Sequence, residues 1–164
     1  CDYIQNCIAL GWNIQDTKVI RPKNLRERHD IAMELAKLKK DEIKAKNIRQ
    51  RFYENIFDLY YSGENYTVTL PHNLKDLKYE GDNLHHCVYV NYAAEVAEGR
   101  SIIVFIRAND SFYKPLATAE IDPLTYEVVQ IRGERNSSVS KEVKAFFEQY
   151  KRKILKKLKT RKAA

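Results

Sequence analysis

The stretch Ser101-Ile102-Ile103-Val104-Phe105-Ile106-Arg107 is the first of three short β-like runs in the second half of the chain. Residues 116–122 and 127–132 form the other two runs, and turn-forming residues separate them. Because the links are short, we predict an antiparallel β-meander in which consecutive runs pair. Residues 66–70 alternate in the same way and predict one further short strand.

Each predicted strand divides into two sets of side chains, because successive residues point to opposite faces of a sheet. The apolar set, which should bury against helices, is Ile102, Val104, Ile106, Ala117, Ala119, Ile121, Val129 and Ile131. The other set combines three apolar residues with most of the polar ones, namely Ile103, Phe105, Val128, Arg107, Thr118, Glu120, Asp122, Gln130 and Arg132. We predict that this polar face stays free for a ligand or a lid.

The first third of the chain is predicted to be helical. Residues 2–10 are amphipathic and precede Gly11, and residues 12–21 are interpreted as a connector. Residues 24–61 contain neither Gly nor Pro and repeat apolar residues at helical spacing. This pattern indicates one long helix, or two helices joined near residues 39–46, where the apolar spacing lapses.

Helices are also predicted around the meander. We expect a brief helical turn over residues 74–79 and a helix over residues 84–98 that Asp82 or Asn83 caps. A final helix over residues 139–160 would be capped by Ser137 or Ser138.

These elements together predict an α+β fold. A helical N-terminal arm covers residues 1–63, and an α+β core with a meander of three to four strands, packed helices and a long basic C-terminal helix covers residues 64–164. The arm is a candidate docking element for a protein partner, in which case the polar cluster would be purely structural.

Positive charge is concentrated at the C-terminus. From Lys141 onward the chain has ten Lys or Arg and two Glu, a surplus of +8, so the rest carries −1 of the total +7. The basic residues of the final helix are Lys151, Arg152, Lys153, Lys156, Lys157, Lys159, Arg161 and Lys162. This composition suits phosphate contacts, and we predict DNA or RNA binding. Helix stabilisation, solubility, and contact with a protein or an anionic membrane are the alternatives.

Composition also limits the class of protein. No run reaches the roughly 18 apolar residues that cross a bilayer, so no membrane span is expected. The three cysteines are odd in number and irregular in spacing, which favours a reducing, cytoplasmic setting over a disulfide framework. The first residue is Cys rather than Met, which predicts either a piece of a longer protein or a trimmed chain.

The residues His85, His86 and Cys87 offer acid, base and nucleophile chemistry. Adjacent residues of a helix point about 100° apart, and no His-x-x-x-His or Cys-x-x-Cys spacing accompanies them, so no metal and no cofactor are predicted. Cys87 would lie near a helix N-terminus, where thiolate is favoured, and is a candidate nucleophile, although packing in the core is the alternative.

An enzyme is the alternative to a nucleic-acid-binding protein. Its candidate catalytic residues are His86, Cys87 and Glu120, and its candidate ligand- or anion-binding residues are His85, Arg107, Thr118, Gln130, Arg132 and Asn136. The arginines would stabilise charge on a nucleotide or phosphate-bearing substrate, and His86 or Glu120 would move protons. The plain alternative is a solvated sheet face with cross-strand ion pairs.

Several of these motifs in combination resemble the PcfJ-like family of conjugative plasmids and bacteriophages. The resemblance rests on Leu84-His85-His86-Cys87-Val88, Ile103-Val104-Phe105-Ile106-Arg107, Thr118-Ala119-Glu120, and Gln130-Ile131-Arg132-Gly133 followed by Asn136. Asp2-Tyr3-Ile4 and Arg21-Pro22-Lys23-Asn24-Leu25 extend it to the N-terminal region. It implies a mobile genetic element, with a link to DNA transfer for the plasmid members, and it implies no particular reaction.

Overall fold

The computed structural model describes residues 2–86 and 88–163, the side chains of residues 88–91 excepted. The α+β prediction is confirmed. The helices are α1 (Asp2–Leu10), α2 (Thr17–Ile20), α3 (Leu25–Leu59), α4 (Leu74–Leu84), α5 (Val88–Ala97), α6 (Lys141–Tyr150) and α7 (Lys156–Ala163). The strands are β1 (Tyr61–Ser62), β2 (Tyr66–Thr69), β3 (Ile102–Ala108), β4 (Ala117–Ile121) and β5 (Val128–Arg132).

The chain forms two compact units, Cys1–Lys44 and Ala45–Ala164. The boundary falls inside α3, in the segment where the sequence loses its apolar spacing. The helix is nevertheless continuous, so the single-helix alternative is correct for residues 25–59. The division at residue 63 stays a prediction about domains.

The first unit has a small core of its own. Tyr3, Cys7 and Ala32 are buried there, and the Tyr3 hydroxyl donates a 2.7 Å hydrogen bond to the carbonyl oxygen of Val19. The connector predicted for residues 12–21 contains the short helix α2. The side chain of Asp16 accepts a hydrogen bond from the Lys18 amide and so caps this helix, a start signal that the interpretation overlooked.

The second unit is built on a five-stranded antiparallel sheet in the order β1-β2-β3-β4-β5. The apolar face packs on α6, whose Phe146, Phe147 and Tyr150 are buried against it. The Tyr150 hydroxyl donates to the carbonyl oxygen of Leu59 at 3.0 Å, which ties α6 to the end of α3. Ser140, rather than Ser137 or Ser138, caps α6.

The second face of the sheet is covered, so the prediction that it stays free is wrong. Ile103 and Phe105 share this face with the polar residues and form a second core with Ile48, Leu77, Ala93, Val96 and Ala97 of α3, α4 and α5. Burial of these two β3 side chains requires a cover, and α4 and α5 provide it.

The helix α4 is longer than predicted. Asn73 caps it by accepting hydrogen bonds from the amides of Lys75 and Asp76, and the helix continues through Gly81 to Leu84. His85 then adopts a left-handed conformation, with φ of 52°, and ends the helix. The predicted helix start at residue 84, with a cap at Asp82 or Asn83, is therefore wrong, and α5 begins at Val88.

A bulge between β4 and β5 exchanges the faces of two valines. Glu120 pairs with Gln130, but the next residue, Ile121, pairs with Val128. Val128 therefore packs on the apolar core, whereas Val129 is 60% exposed, the reverse of strict alternation.

Nowhere in the described part of the chain is a helix both long and apolar enough for a bilayer crossing.

Candidate functional site

A buried cluster of Glu80, Arg107 and Thr118 lies between α4 and the sheet. Glu80 Oε1 accepts hydrogen bonds from Arg107 Nη1 at 3.1 Å and from the Thr118 hydroxyl at 2.9 Å, and Arg107 Nη2 lies 2.5 Å from Glu80 Oε2. Burial raises the pKa of Glu80, and the hydrogen bonds from Arg107 and Thr118 oppose that rise. Arg107 and Thr118, both predicted anion-binding residues, are thus engaged by a carboxylate.

Glu80 was missed by the sequence interpretation. It lies on the same face of α4 as the buried residues Leu77, Gly81 and Leu84, at helical spacing. A helix extended to Leu84 would have shown a single acidic residue within an apolar stripe. Such a residue requires a buried partner.

Glu120 belongs to a second polar cluster on the same sheet face. Its carboxylate accepts hydrogen bonds from the Ser101 hydroxyl at 3.1 Å and from Gln130 Nε2 at 3.0 Å, and Gln130 Nε2 also lies 2.7 Å from the Tyr92 hydroxyl. Burial, and then the charge of Glu120, raise the pKa of Tyr92. Two of the predicted site residues, Glu120 and Gln130, are thus in contact.

A cavity of about 130 Å³ opens beside this second cluster. Ser101 lines it together with Arg51 and Asn55 of α3 and Val96 of α5. The predicted catalytic and anion-binding residues are not among its lining residues. The cavity therefore borders the cluster of Glu120 and Gln130, but neither residue lines it.

His85, His86 and the turn Glu134–Asn136 form a third group, which we call the histidine turn. His85 Nδ1 lies 3.6 Å from Glu134 Oε1. His85, Arg135 and Asn136 all have positive φ, of 52°, 53° and 59°. A left-handed conformation costs a residue with a side chain roughly 1–2 kcal/mol, with Asn the most tolerant, and such strain clusters at functional sites.

His86 is half-buried, and burial lowers its pKa, so its imidazole is neutral near pH 7. Its Nε2 atom is buried and has no hydrogen-bond partner among the described residues. Cys87 lies outside the described residues, and its role as a nucleophile stays a prediction. No group of three His, Cys, Asp or Glu among the described residues could hold a metal ion.

The contacts of the described site residues form three groups, apart from those of Arg132. Arg107 and Thr118 join Glu80, and Glu120 joins Gln130. His85, His86 and Asn136 belong to the histidine turn. Arg132 pairs with Thr118 in the β4–β5 ladder but is exposed. Their chemical roles stay predictions.

The basic helix, Lys151–Ala163, consists of a π-helical stretch over residues 151–155 followed by α7. Leu155 and Leu158 anchor it in the core. Five of its predicted nucleic-acid-binding residues have partners within the chain: Lys151 with Glu148, Lys153 with the Tyr61 ring, Lys159 with Glu127, Arg161 with Asp58, and Lys162 with the Pro123 carbonyl. The other three, Arg152, Lys156 and Lys157, are exposed, and no ion pair holds them in the described part of the chain.

Arg135→Gly is expected to raise the free energy of unfolding by about 1 kcal/mol, because glycine adopts the left-handed conformation of residue 135 without a steric penalty. Urea denaturation measures the change. The matched control is Arg132→Gly in β5, which should destabilise the protein because glycine weakens a strand. A loss of stability in Arg135→Gly would show that the Arg135 side chain contributes more than its backbone conformation costs.

Comparison with known proteins places this chain in a family context. The family model described as PcfJ-like protein matches residues 1–147. A Listeria innocua protein, described as "Uncharacterized protein Lin1253/Lin1744", is 34% identical over 143 residues, which cover 87% of this chain and 31% of the relative. The chain thus spans about a third of that relative's length. No solved structure matches the chain.

Proposed function

Because the chain belongs to the PcfJ-like family, we propose that it is a cytoplasmic accessory protein of a bacterial mobile element, plasmid or phage, that binds DNA or RNA through its basic helix. The family resemblance supports the mobile-element setting. The nucleic-acid contact is supported by this chain's own residues, since the family match ends at residue 147 and the basic helix follows it.

One observation carries the proposal of nucleic-acid binding. Arg152, Lys156 and Lys157 are exposed and lack ion pairs among the described residues, while Leu155 and Leu158 hold the helix that bears them. Fixed cations without acidic partners are available to phosphates, and their binding releases condensed counterions. Helix stabilisation alone explains cations in the last turn, but Arg152 precedes the last turn by two turns.

The proposal is tested by fluorescence anisotropy with a labelled 20-nucleotide DNA, as single strand and as duplex. We expect binding at 50 mM salt that weakens steeply towards 200 mM salt, since phosphate contacts are salt-dependent. If neither the single strand nor the duplex binds at 50 mM salt, the proposal is overturned. Truncation at residue 150 is a poor test, because it removes Leu155 and Leu158 from the core.

An enzyme acting on a nucleotide or phosphate-bearing substrate is the second candidate. The positive φ angles of the histidine turn favour it, as does the Nε2 atom of His86, which has no hydrogen-bond partner among the described residues. Burial of Arg107 against Glu80 speaks against the larger site of His86, Arg107, Glu120, Gln130 and Arg132. This candidate requires a substrate bound at the histidine turn, and a substrate bound elsewhere would contradict it.

A further inference from the structure

An aromatic stripe runs along the exposed side of α3 in the second unit. Tyr53, Phe57 and Tyr60 are 60%, 92% and 44% exposed. Tyr53 and Phe57, four residues apart, lie on one face of α3. Tyr60 directly follows the last residue of the helix and keeps a helical hydrogen bond, from its amide to the carbonyl oxygen of Ile56 at 3.0 Å. The adjoining stripe of the same segment, Ile48, Phe52, Ile56 and Leu59, packs in the two cores. The aromatic stripe therefore belongs to neither hydrophobic core.

Positive charge continues the stripe towards its N-terminal end. Lys46 and Arg49 lie seven and four residues before Tyr53, on the same face of α3. Both are exposed, and neither forms an ion pair within the described residues. The face therefore combines two free cations with three aromatic rings.

The basic helix flanks the other end of the stripe. Arg161 Nη1 lies 3.6 Å from Asp58 Oδ1, next to Phe57 in the chain. Lys153 Nζ lies 5.5 Å from the centroid of the Tyr61 ring, next to Tyr60. The proposed phosphate-binding helix and the aromatic stripe are thus neighbours.

The spacing of the rings suits bases. Four helical residues rise about 6 Å along the helix axis. A base stacked between two rings needs two stacking distances of roughly 3.4 Å each, or about 7 Å, so Tyr53 and Phe57 would have to separate only slightly to admit one. Tyr53 is braced from the side by edge contacts, at 5.4 Å from the Phe52 ring and 6.4 Å from the His72 ring. A braced ring loses little freedom when a base stacks on it.

We propose that this face binds single-stranded nucleic acid, with unpaired bases stacked on Tyr53, Phe57 and Tyr60 and the backbone phosphates held by Lys46, Arg49 and the basic helix. The inference rests on the proposed function and narrows it from nucleic acid in general to single strands. An aromatic side chain can stack only on an accessible base face, and in a duplex the base faces are covered by the neighbouring base pairs. Cations alone would bind single strands and duplexes alike. The free cations at the stripe match a polyanion, and so distinguish this occupant from a neutral protein surface.

The test compares Tyr53→Ala/Phe57→Ala with the control Tyr79→Ala/Tyr113→Ala, which removes two tyrosines of similar exposure, 50% and 89%, elsewhere. Anisotropy is measured with a labelled 20-nucleotide oligo-dT and with a duplex of the same length. We expect the stripe variant to lose affinity for oligo-dT on the order of 10-fold for each ring, and to keep its duplex affinity, since its phosphate contacts are intact. Phe57→Trp should retain the affinity for oligo-dT.

Two outcomes would overturn the inference while the proposed function stands. In the first, the stripe variant and the control variant lose the same affinity for oligo-dT, or neither loses any, while oligo-dT binding still depends on the basic helix. The other is a dimer of the wild-type protein in sedimentation that Tyr53→Ala/Phe57→Ala disrupts, which would assign the stripe to a second copy of the chain. If the wild-type protein binds neither oligonucleotide, the proposed function itself fails.

Discussion

Arg107→Met is expected to lower the free energy of unfolding by about 3–5 kcal/mol at pH 7, because it leaves the carboxylate of Glu80 buried without its cation. Glu80 is fully buried, and both of its oxygens accept from Arg107. Thr118 keeps only one hydrogen bond to it. Urea denaturation followed by circular dichroism measures the loss.

The pH dependence of this variant has a definite sign. Burial raises the pKa of Glu80 in the folded protein, and loss of Arg107 removes the largest opposing cause, so the pKa rises further. A carboxyl group with a raised pKa contributes stability that is fully present below its unfolded pKa of about 4.3 and is lost as the pH rises through the folded value. The deficit of Arg107→Met should therefore be smaller at pH 5 than at pH 8.

Two comparisons control this prediction. Arg100→Met breaks the exposed pair with Glu95 and should cost less than about 1 kcal/mol. The apolar triple replacement Glu80→Leu/Arg107→Met/Thr118→Val should recover most of the lost stability, because no buried polar group is left unpaired. A cost for Arg107→Met as small as that of the exposed control would contradict the buried pair.

Charge reversal on the basic helix should have the largest effect on binding. Arg152→Glu/Lys156→Glu/Lys157→Glu is expected to weaken oligonucleotide binding on the order of 100-fold at low salt, because three phosphate contacts become repulsions. The fold should persist, since the three side chains are exposed and Leu155 and Leu158 remain. Anisotropy with the 20-nucleotide DNA measures the loss.

The control for this prediction carries the same change in net charge. Lys37→Glu/Lys75→Glu/Lys114→Glu reverses three exposed lysines on other elements. We expect it to weaken binding by only a small factor, through the reduced long-range attraction. Equal losses in the two triple variants would show that net charge, and not the basic helix, determines binding.

Local patterns in the sequence predicted most of the fold. Alternation identified β3, β4 and β5. Helical spacing separated the core stripe of Ile48, Phe52, Ile56 and Leu59, which is buried or partly buried, from the rest of α3. The predicted and observed elements differ where a single residue interrupts the local pattern. One is the bulge after Glu120, and another is Gly81, which lies inside α4 instead of ending it.

The candidate site was less accessible to sequence reasoning, because its contacts are long-range. Glu80 and Arg107 lie 27 residues apart, and their pairing depends on how α4 lies over the sheet. The stripe of Tyr53, Phe57 and Tyr60 has helical spacing like the core stripe beside it. The apolar period selects the core stripe, and the structure adds that the aromatic stripe is left exposed.

If the basic helix of this PcfJ-like protein binds nucleic-acid phosphates, the salt dependence of binding should change when its exposed cations are removed. The measurement is the slope of log affinity against log salt concentration for oligo-dT, in the wild-type protein and in Arg152→Gln/Lys156→Gln/Lys157→Gln. We expect a slope shallower by about 2 in the variant, from roughly 0.7 counterions released per contact on a single strand. An identical slope in the two proteins would contradict it.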